Sequence, residues 1–132
     1  MADAPWTPTA IPESISAKAR TLVHLAQQVP RGHWVTYDDL AEAAGSSPRG
    51  VASALSFLPP GTPIEQWPVP WHRIRLKNGH LKERLKGEQI RPDHALNRLY
   101  LAEGGRLIGA AAAPGRHFNL AAEARAGRIT LA

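Results

Sequence analysis

Cysteine is absent from the chain, and that gap closes off disulfide cross-links, thiolate zinc sites, iron-sulfur clusters and thiol nucleophiles. Polar chemistry is left to six histidines and eleven acids. His33, His72, His80, His94 and His117 lack the paired spacing of metal ligands, so neither metal nor cofactor is expected. No apolar run is long enough to span a bilayer, and the opening stretch MADAPWTPTAIPES lacks the charged start and apolar core of a signal peptide. The expectation is a soluble, cytoplasmic protein with no membrane partner, nucleoid-associated in a bacterium. Internal repeats are also missing, and 132 residues suit one core rather than two.

What is plentiful is positive charge. The formal charge is +5 and the isoelectric point near 10.2, values that suit a polyanionic partner. Seven basic residues between positions 73 and 91 (Arg73, Arg75, Lys77, Lys82, Arg84, Lys86, Arg91) face only Glu83 and Glu88, and this stretch holds the whole excess. Charge clustering alone equally describes a solvated basic face.

Residues 1–13, rich in proline and small side chains, read as a flexible arm that packs through Trp6. Ile15, Ala19, Leu22, Val23, Ala26 and Val29 then follow helical spacing, and Pro30 closes the run. In VTYDDLAEAAG, Thr36 is placed to cap a short helix, Asp38 and Asp39 suit its first turn, and Gly45 fits just past its end. In SSPRGVASALSFL, Ser47 is the cap, Pro48 the first helical residue, and Val51, Leu55 and Leu58 one face. Two short helices across a Gly-Ser-Ser turn read as a helix-turn-helix, or as a helical pair with no nucleic-acid role.

The segment PPGTPIEQWPVP holds five prolines and reads as an irregular, stiff connection. HRIRLKNGHLK then predicts a hairpin turning at Asn78-Gly79, a wing whose outward face carries Arg73, Arg75 and Lys77. A last helix is expected from about Pro92 to Glu103, with Leu96, Leu99 and Tyr100 on its apolar face and Gly104 as its stop. Glu103 falls on that face too, so its carboxylate needs an arginine or histidine partner. Residues 107–132 read as an extension made of a loop and a short strand. The expected fold is mainly α with a small β hairpin, a winged helix-turn-helix over residues 14–106.

Base readout in the major groove needs side chains that fork onto base edges. The second helix of the pair exposes Gly50, Ala52, Ser53 and Ser56, with Arg49 as its one long side chain. Such a helix suits close approach in a minor groove and the recognition of shape or damage. Reading a single base this way requires the base to leave the stack, with an arginine taking its space.

PVPWHR, residues 68 to 73, together with VTYDDLAEAAG and PRGVASAL, resembles the DNA-binding domain of the O6-alkylguanine-DNA alkyltransferases. Their motif has cysteine between proline and His-Arg. Tryptophan at that place resembles the alkyltransferase-like proteins, and the similarity spans roughly residues 15 to 106. The resemblance implies that Tyr37 presses on the phosphate beside a flipped nucleotide, that Arg49 enters the stack, and that Arg84 packs over the lesion base. It implies a lesion pocket of Trp71, Arg84, Tyr37 and Val69. It also implies a DNA-binding face of Arg49, Tyr37, Thr36, Gly50, Ser53, Arg73, Arg75 and Lys77, with His72 and Glu103 as structural support. The chain departs from the family in the longer, proline-rich run from Thr62 to Val69 and in lacking a clear counterpart of a supporting asparagine.

Alkyl transfer needs a thiolate activated by a neighbouring histidine, and indole offers no such lone pair. What the resemblance then implies is a non-enzymatic sensor, acting as a monomer, that binds double-stranded DNA containing alkylated guanine and marks it for nucleotide excision repair proteins. Three other readings of the residues stand beside it: Trp71 as plain core packing, a winged-helix transcription regulator, and a hydrolase using His72 and Glu103.

Overall fold

The computed structural model describes residues 6, 8–56, 63–85 and 88–130, without the side chains of Arg84 and Glu88. Helix α1, Ala17–Gln27, starts where the Ser16 side chain accepts the Ala19 N–H, and it buries Ala19, Leu22, Val23, Leu25 and Ala26. Strand β1, Val35–Thr36, runs directly into helix α2, Tyr37–Ala44. The junction is a reciprocal cap: Asp39 N–H donates to Thr36 Oγ1 at 3.0 Å, and Thr36 N–H donates to Asp39 Oδ2 at 2.8 Å. Gly45 ends α2 in the left-handed region at φ 68°, where a residue without Cβ is least strained.

Two residues later the Ser47 side chain caps helix α3, Pro48–Ala54. Helices α1, α2 and α3 pack against one another, with Leu22, Leu25, Leu40, Val51 and Leu55 at or below 1% exposure. The helix-turn-helix stands as the caps and periodicity place it. Leu58, assigned to the same apolar face, lies outside the described residues.

The wing does not form where the alternation of Ile74 and Leu76 with basic residues places it. Strand β2, Ile74–Arg75, pairs in parallel with β1, Val35 opposite Ile74 and Thr36 opposite Arg75. The chain does turn at Asn78-Gly79, with Gly79 at φ 84° and Leu76 N–H donating to the His80 carbonyl, but no antiparallel ladder follows there. The hairpin lies ten residues later, as β3, Arg84–Leu85, against β4, Glu88–Gln89. Enclosure on both faces is the reason: Ile74 joins the apolar core and Arg75 is fully buried, so the strand has no outward face for alternation to mark.

Helix α4, Ala95–Ala102, buries Leu96 and Tyr100 completely, and Gly104 at φ 98° follows its end. The tail differs from the expected loop and strand. It folds into a hairpin, β5 (Leu107–Ile108) with β6 (Ala111–Ala112), and then helix α5, Leu120–Arg125, capped by the Asn119 side chain. α5 packs on α2 and inserts Leu120 into the core, and Thr130 exchanges hydrogen bonds with the Gln28 side chain on α1's end. Six residues are too few to show helical periodicity, and such a helix depends on tertiary packing.

Residues 8–13, expected to be a flexible arm, lie against the fold. Thr9 N–H donates to the Gln66 carbonyl at 2.8 Å, and Ile11 packs on the core. Among the described residues no helix is long and apolar enough to cross a membrane.

Candidate nucleic-acid interface

The start of α3 and the segment after β2 enclose an open cleft of about 430 Å³, lined by Thr36, Tyr37, Asp38, Pro48, Arg49, Ala52, Arg75, Leu76, Lys77 and Lys82. Arg49 stands exposed in the first turn of α3. Lys82 Nζ lies 4.4 Å from the centre of the Tyr37 ring, a cation held over an aromatic face. Tyr37 is 7% exposed, and its hydroxyl is buried with no hydrogen-bond partner among the described residues. Burial raises the pKa of that hydroxyl, so it stays a proton donor awaiting an acceptor. Lys77 pairs with Asp38 at 3.0 Å on the surface. Four lysines and arginines against one aspartate, beside an unsatisfied hydroxyl, suit an anion such as a phosphate.

The structure thus brings Thr36, Tyr37, Arg49, Arg75 and Lys77 to one cleft. Ser53 is exposed on α3. Gly50 turns inward, where a Cβ would lie 2.8 Å from Ser46 Oγ and 2.9 Å from Lys18 Nζ. Lys82, not singled out from the basic stretch as a site residue, joins the cleft through its contact with Tyr37. Trp71 and Val69 do not line it: they sit in the core cluster at 3% and 1% exposure. The side chain of Arg84, assigned to the lesion pocket, lies outside the described residues. A larger cleft of about 630 Å³ adjoins through Thr36, Asp38 and Lys77, but Asp38 and Asp39 give it mixed sign, and among the described side chains no expected lesion-pocket residue lines it.

Trp71, His72 and Arg73 form a tight 3₁₀ turn after Pro70, held by Trp71 N–H to the Val69 carbonyl at 2.8 Å and Arg73 N–H to the Pro70 carbonyl at 2.9 Å. The turn sends His72 and Arg73 toward the end of α4. There the fully buried Glu103 carboxylate receives His72 Nε2 at 3.1 Å, Arg73 Nε at 2.9 Å and an Arg73 terminal nitrogen at 2.8 Å. Gly32 N–H donates to the same group at 3.3 Å. The partner demanded by a carboxylate on an apolar helix face is therefore both a histidine and an arginine.

Burial alone would raise the Glu103 pKa, but the hydrogen bonds from His72 and Arg73 outweigh it and hold it at about 2. Burial pushes the His72 pKa below its ordinary value, against the pull of Glu103. His72 is then neutral with its proton on Nε2, facing Glu103, and Nδ1 is left as a buried acceptor with no partner among the described residues.

Arg73 and Arg75 correct the expectation of an outward basic face. Arg73 is 4% exposed and serves Glu103 and the Val29 carbonyl. Arg75 is 0% exposed: it donates to the His72 and Gly79 carbonyls and to Asn97 Oδ1, and its guanidinium lies 4.5 Å from the Tyr100 ring. None of these partners is a carboxylate, and desolvation lowers its pKa to about 10. Both arginines brace the fold, which leaves Arg49, Lys77 and Lys82 as the cleft's solvent-facing cations among the described side chains. Among the described residues no group of histidines and acids is gathered to hold a metal ion.

The sequence profile of the 6-O-methylguanine DNA methyltransferase DNA binding domain matches residues 18–99, more than half of the chain. The chain belongs to that family. With tryptophan between Pro70 and His72 it is an alkyltransferase-like member, and the match runs from α1 into α4, taking in both the cleft and the Trp71 turn. The methylated-DNA--protein-cysteine methyltransferase of Methanothermobacter thermautotrophicus is 36% identical over 61 residues, which are 46% of this chain and 32% of that protein. The chain thus matches about a third of that relative's length. A crystal structure of S. pombe Atl1, in complex with damaged DNA containing O6-carboxymethylguanine, superposes with a TM-score of 0.55 at 22% identity. It covers 76% of this alkyltransferase-like chain and 94% of the other, a likeness of fold.

Proposed function

We propose that this alkyltransferase-like protein is a non-enzymatic sensor that binds double-stranded DNA, turns an O6-alkylguanine out of the stack toward Trp71, and marks it for nucleotide excision repair. One observation carries the reading. The His72–Glu103 pair is intact and buried immediately beside position 71, where this chain has an indole in place of a nucleophile. A histidine kept neutral beside a carboxylate would support a thiolate, but with no cysteine anywhere in the chain there is no thiol to accept the alkyl group.

The cleft supports the DNA half of the reading. Arg49 on the slim face of α3 takes the place of an extruded base, the Tyr37 hydroxyl and Lys82 receive the adjoining phosphate, and small α3 residues permit close approach. The paired strands β3 and β4 take the role of the wing. Trp71 is 3% exposed, so an incoming base must first uncover the indole. Stacking on an aromatic ring contributes about 1–3 kcal/mol per base, enough to favour a base that is cheap to extrude.

The deciding experiment is a fluorescence anisotropy titration of two duplexes identical except for one O6-methylguanine, with intact-protein mass spectrometry on the same samples. The expected result is tighter binding of the modified duplex, an unchanged protein mass, and loss of the preference in Trp71→Ala. Equal binding of both duplexes by the wild type, or a mass gain of one methyl group, refutes the reading.

A further inference from the structure

Trp6, from the N-terminal arm, packs on the PVPWHR motif itself. Residues 8–13 run along the connection before the motif, pinned by Thr9 N–H to the Gln66 carbonyl and by Ile11 packed against the core. This course delivers Trp6 to the far side of the buried network. The Trp6 ring lies 5.5 Å from the His72 ring, tilted by 59°, and the Arg73 guanidinium carbon lies 4.9 Å from the centre of the Trp6 ring. Arg73 is thus held between an indole and the Glu103 carboxylate, and His72 between the same two groups.

The contact is costly in hydrogen bonds. Trp6 Nε1 is buried without a partner among the described residues, as are His72 Nδ1 and Trp71 Nε1. Leaving buried donors and acceptors unsatisfied is unfavourable, so the arm's hold on the motif depends on packing and on the cation over the ring. Water is thereby kept from the side of His72 that Glu103 does not cover.

We propose that Trp6 is a positioning residue of the base-binding site: by packing across His72 and Arg73 it holds both against Glu103 and so fixes the turn that presents Trp71 to an extruded base. The proposal rests on the functional reading above for its DNA consequence, but not for its structural one. The groups facing His72 are Glu103 from the end of α4, Arg73 and Arg75 from its own segment, and Trp6 from the arm. Trp6 carries no charge, so its removal changes the solvation of His72 and leaves the local charges in place.

The test uses the full chain with Trp6→Ala and Trp6→Phe. In DNA-free protein, the His72 imidazole is titrated by nitrogen-detected NMR. Wild type should hold the neutral Nε2–H form to below the ordinary histidine range, Trp6→Ala should raise the midpoint toward that range, and Trp6→Phe should return it close to wild type. In parallel, the ratio of affinities for the O6-methylguanine and unmodified duplexes should fall at least fivefold in Trp6→Ala and recover to within twofold in Trp6→Phe.

An unchanged His72 titration in Trp6→Ala overturns the proposal. So does a lesion ratio that stays at the wild-type value while the titration shifts. If wild type itself shows no lesion preference, the functional reading fails. The titration alone then decides whether Trp6 positions the network, a shifted midpoint supporting it and an unshifted one overturning it.

Discussion

Replacing Glu103 with glutamine removes one charge and leaves the shape nearly unchanged, and the structure says what that does. The carboxylate accepts from His72, twice from Arg73 and once from Gly32, with its own side chain at 0% and Arg73's at 5% exposure. Glutamine offers one oxygen for these donors and turns an NH₂ group toward the others, leaving the Arg73 guanidinium buried without a carboxylate. Breaking a buried ion pair from one side costs roughly 3–5 kcal/mol. The pKa gives a second route to the same quantity. A carboxyl held at about 2 instead of 4.5, at about 1.4 kcal/mol per unit, is stabilised by roughly 3–4 kcal/mol.

Against a total stability of about 5–15 kcal/mol for a domain, such a loss is large, and at pH 7 the urea midpoint should fall by roughly 1–3 M. The pH dependence follows from the signs. The Glu103 pKa is depressed, so its contribution is complete above the unfolded value of 4.5 and is lost as pH falls toward about 2. His72 is also depressed, by burial, so its neutral form stabilises the fold above 6.5 and that contribution is lost as pH drops below it. Wild type should therefore weaken in two stages on acidification, and the gap to Glu103→Gln should close across the lower one. Urea unfolding at pH 7, 5 and 2.5, read by tryptophan fluorescence, tests both points. Equal midpoints at pH 7, or a gap that does not narrow between pH 5 and 2.5, would refute the reasoning.

Arg49→Ala should weaken binding of the modified duplex at least tenfold in the anisotropy titration, because α3 has no other long side chain facing the cleft. Retained affinity would remove Arg49 from the interface. Gly79→Ala should lower the thermal midpoint by several degrees: Gly79 has φ 84°, and a Cβ there would lie 2.6 Å from the Ala112 carbonyl oxygen on β6. A midpoint within 1 °C of wild type, about the scatter expected of a neutral surface change, would contradict that geometry.

Much of the helical half was legible in the chain because its signals are local. Thr36 and Asp39, Ser47 with Pro48, and Gly45 each act within one helical turn, so spacing alone placed α2, the turn and α3. The partner of Glu103 was legible as a type, since a carboxylate on an apolar face demands a cation, although that both His72 and Arg73 serve it required the turn at Pro70. Alternation around Ile74 and Leu76 misled because it assumes one open face, whereas β2 pairs with β1 and both of its residues are enclosed.

The amino-acid sequence by itself determined the caps, the helical faces, the positive-φ turns and the absence of a thiol nucleophile, all properties of residues and their near neighbours. Only the tertiary structure decided where the cations go, which strand pairs with which, that Leu120 completes the core from the tail, and that Trp6 returns to cover His72. Those outcomes depend on segments tens of residues apart meeting in space. Whether a basic side chain faces water or a buried carboxylate is settled by the desolvation and the partners it finds there, and no local spacing encodes them.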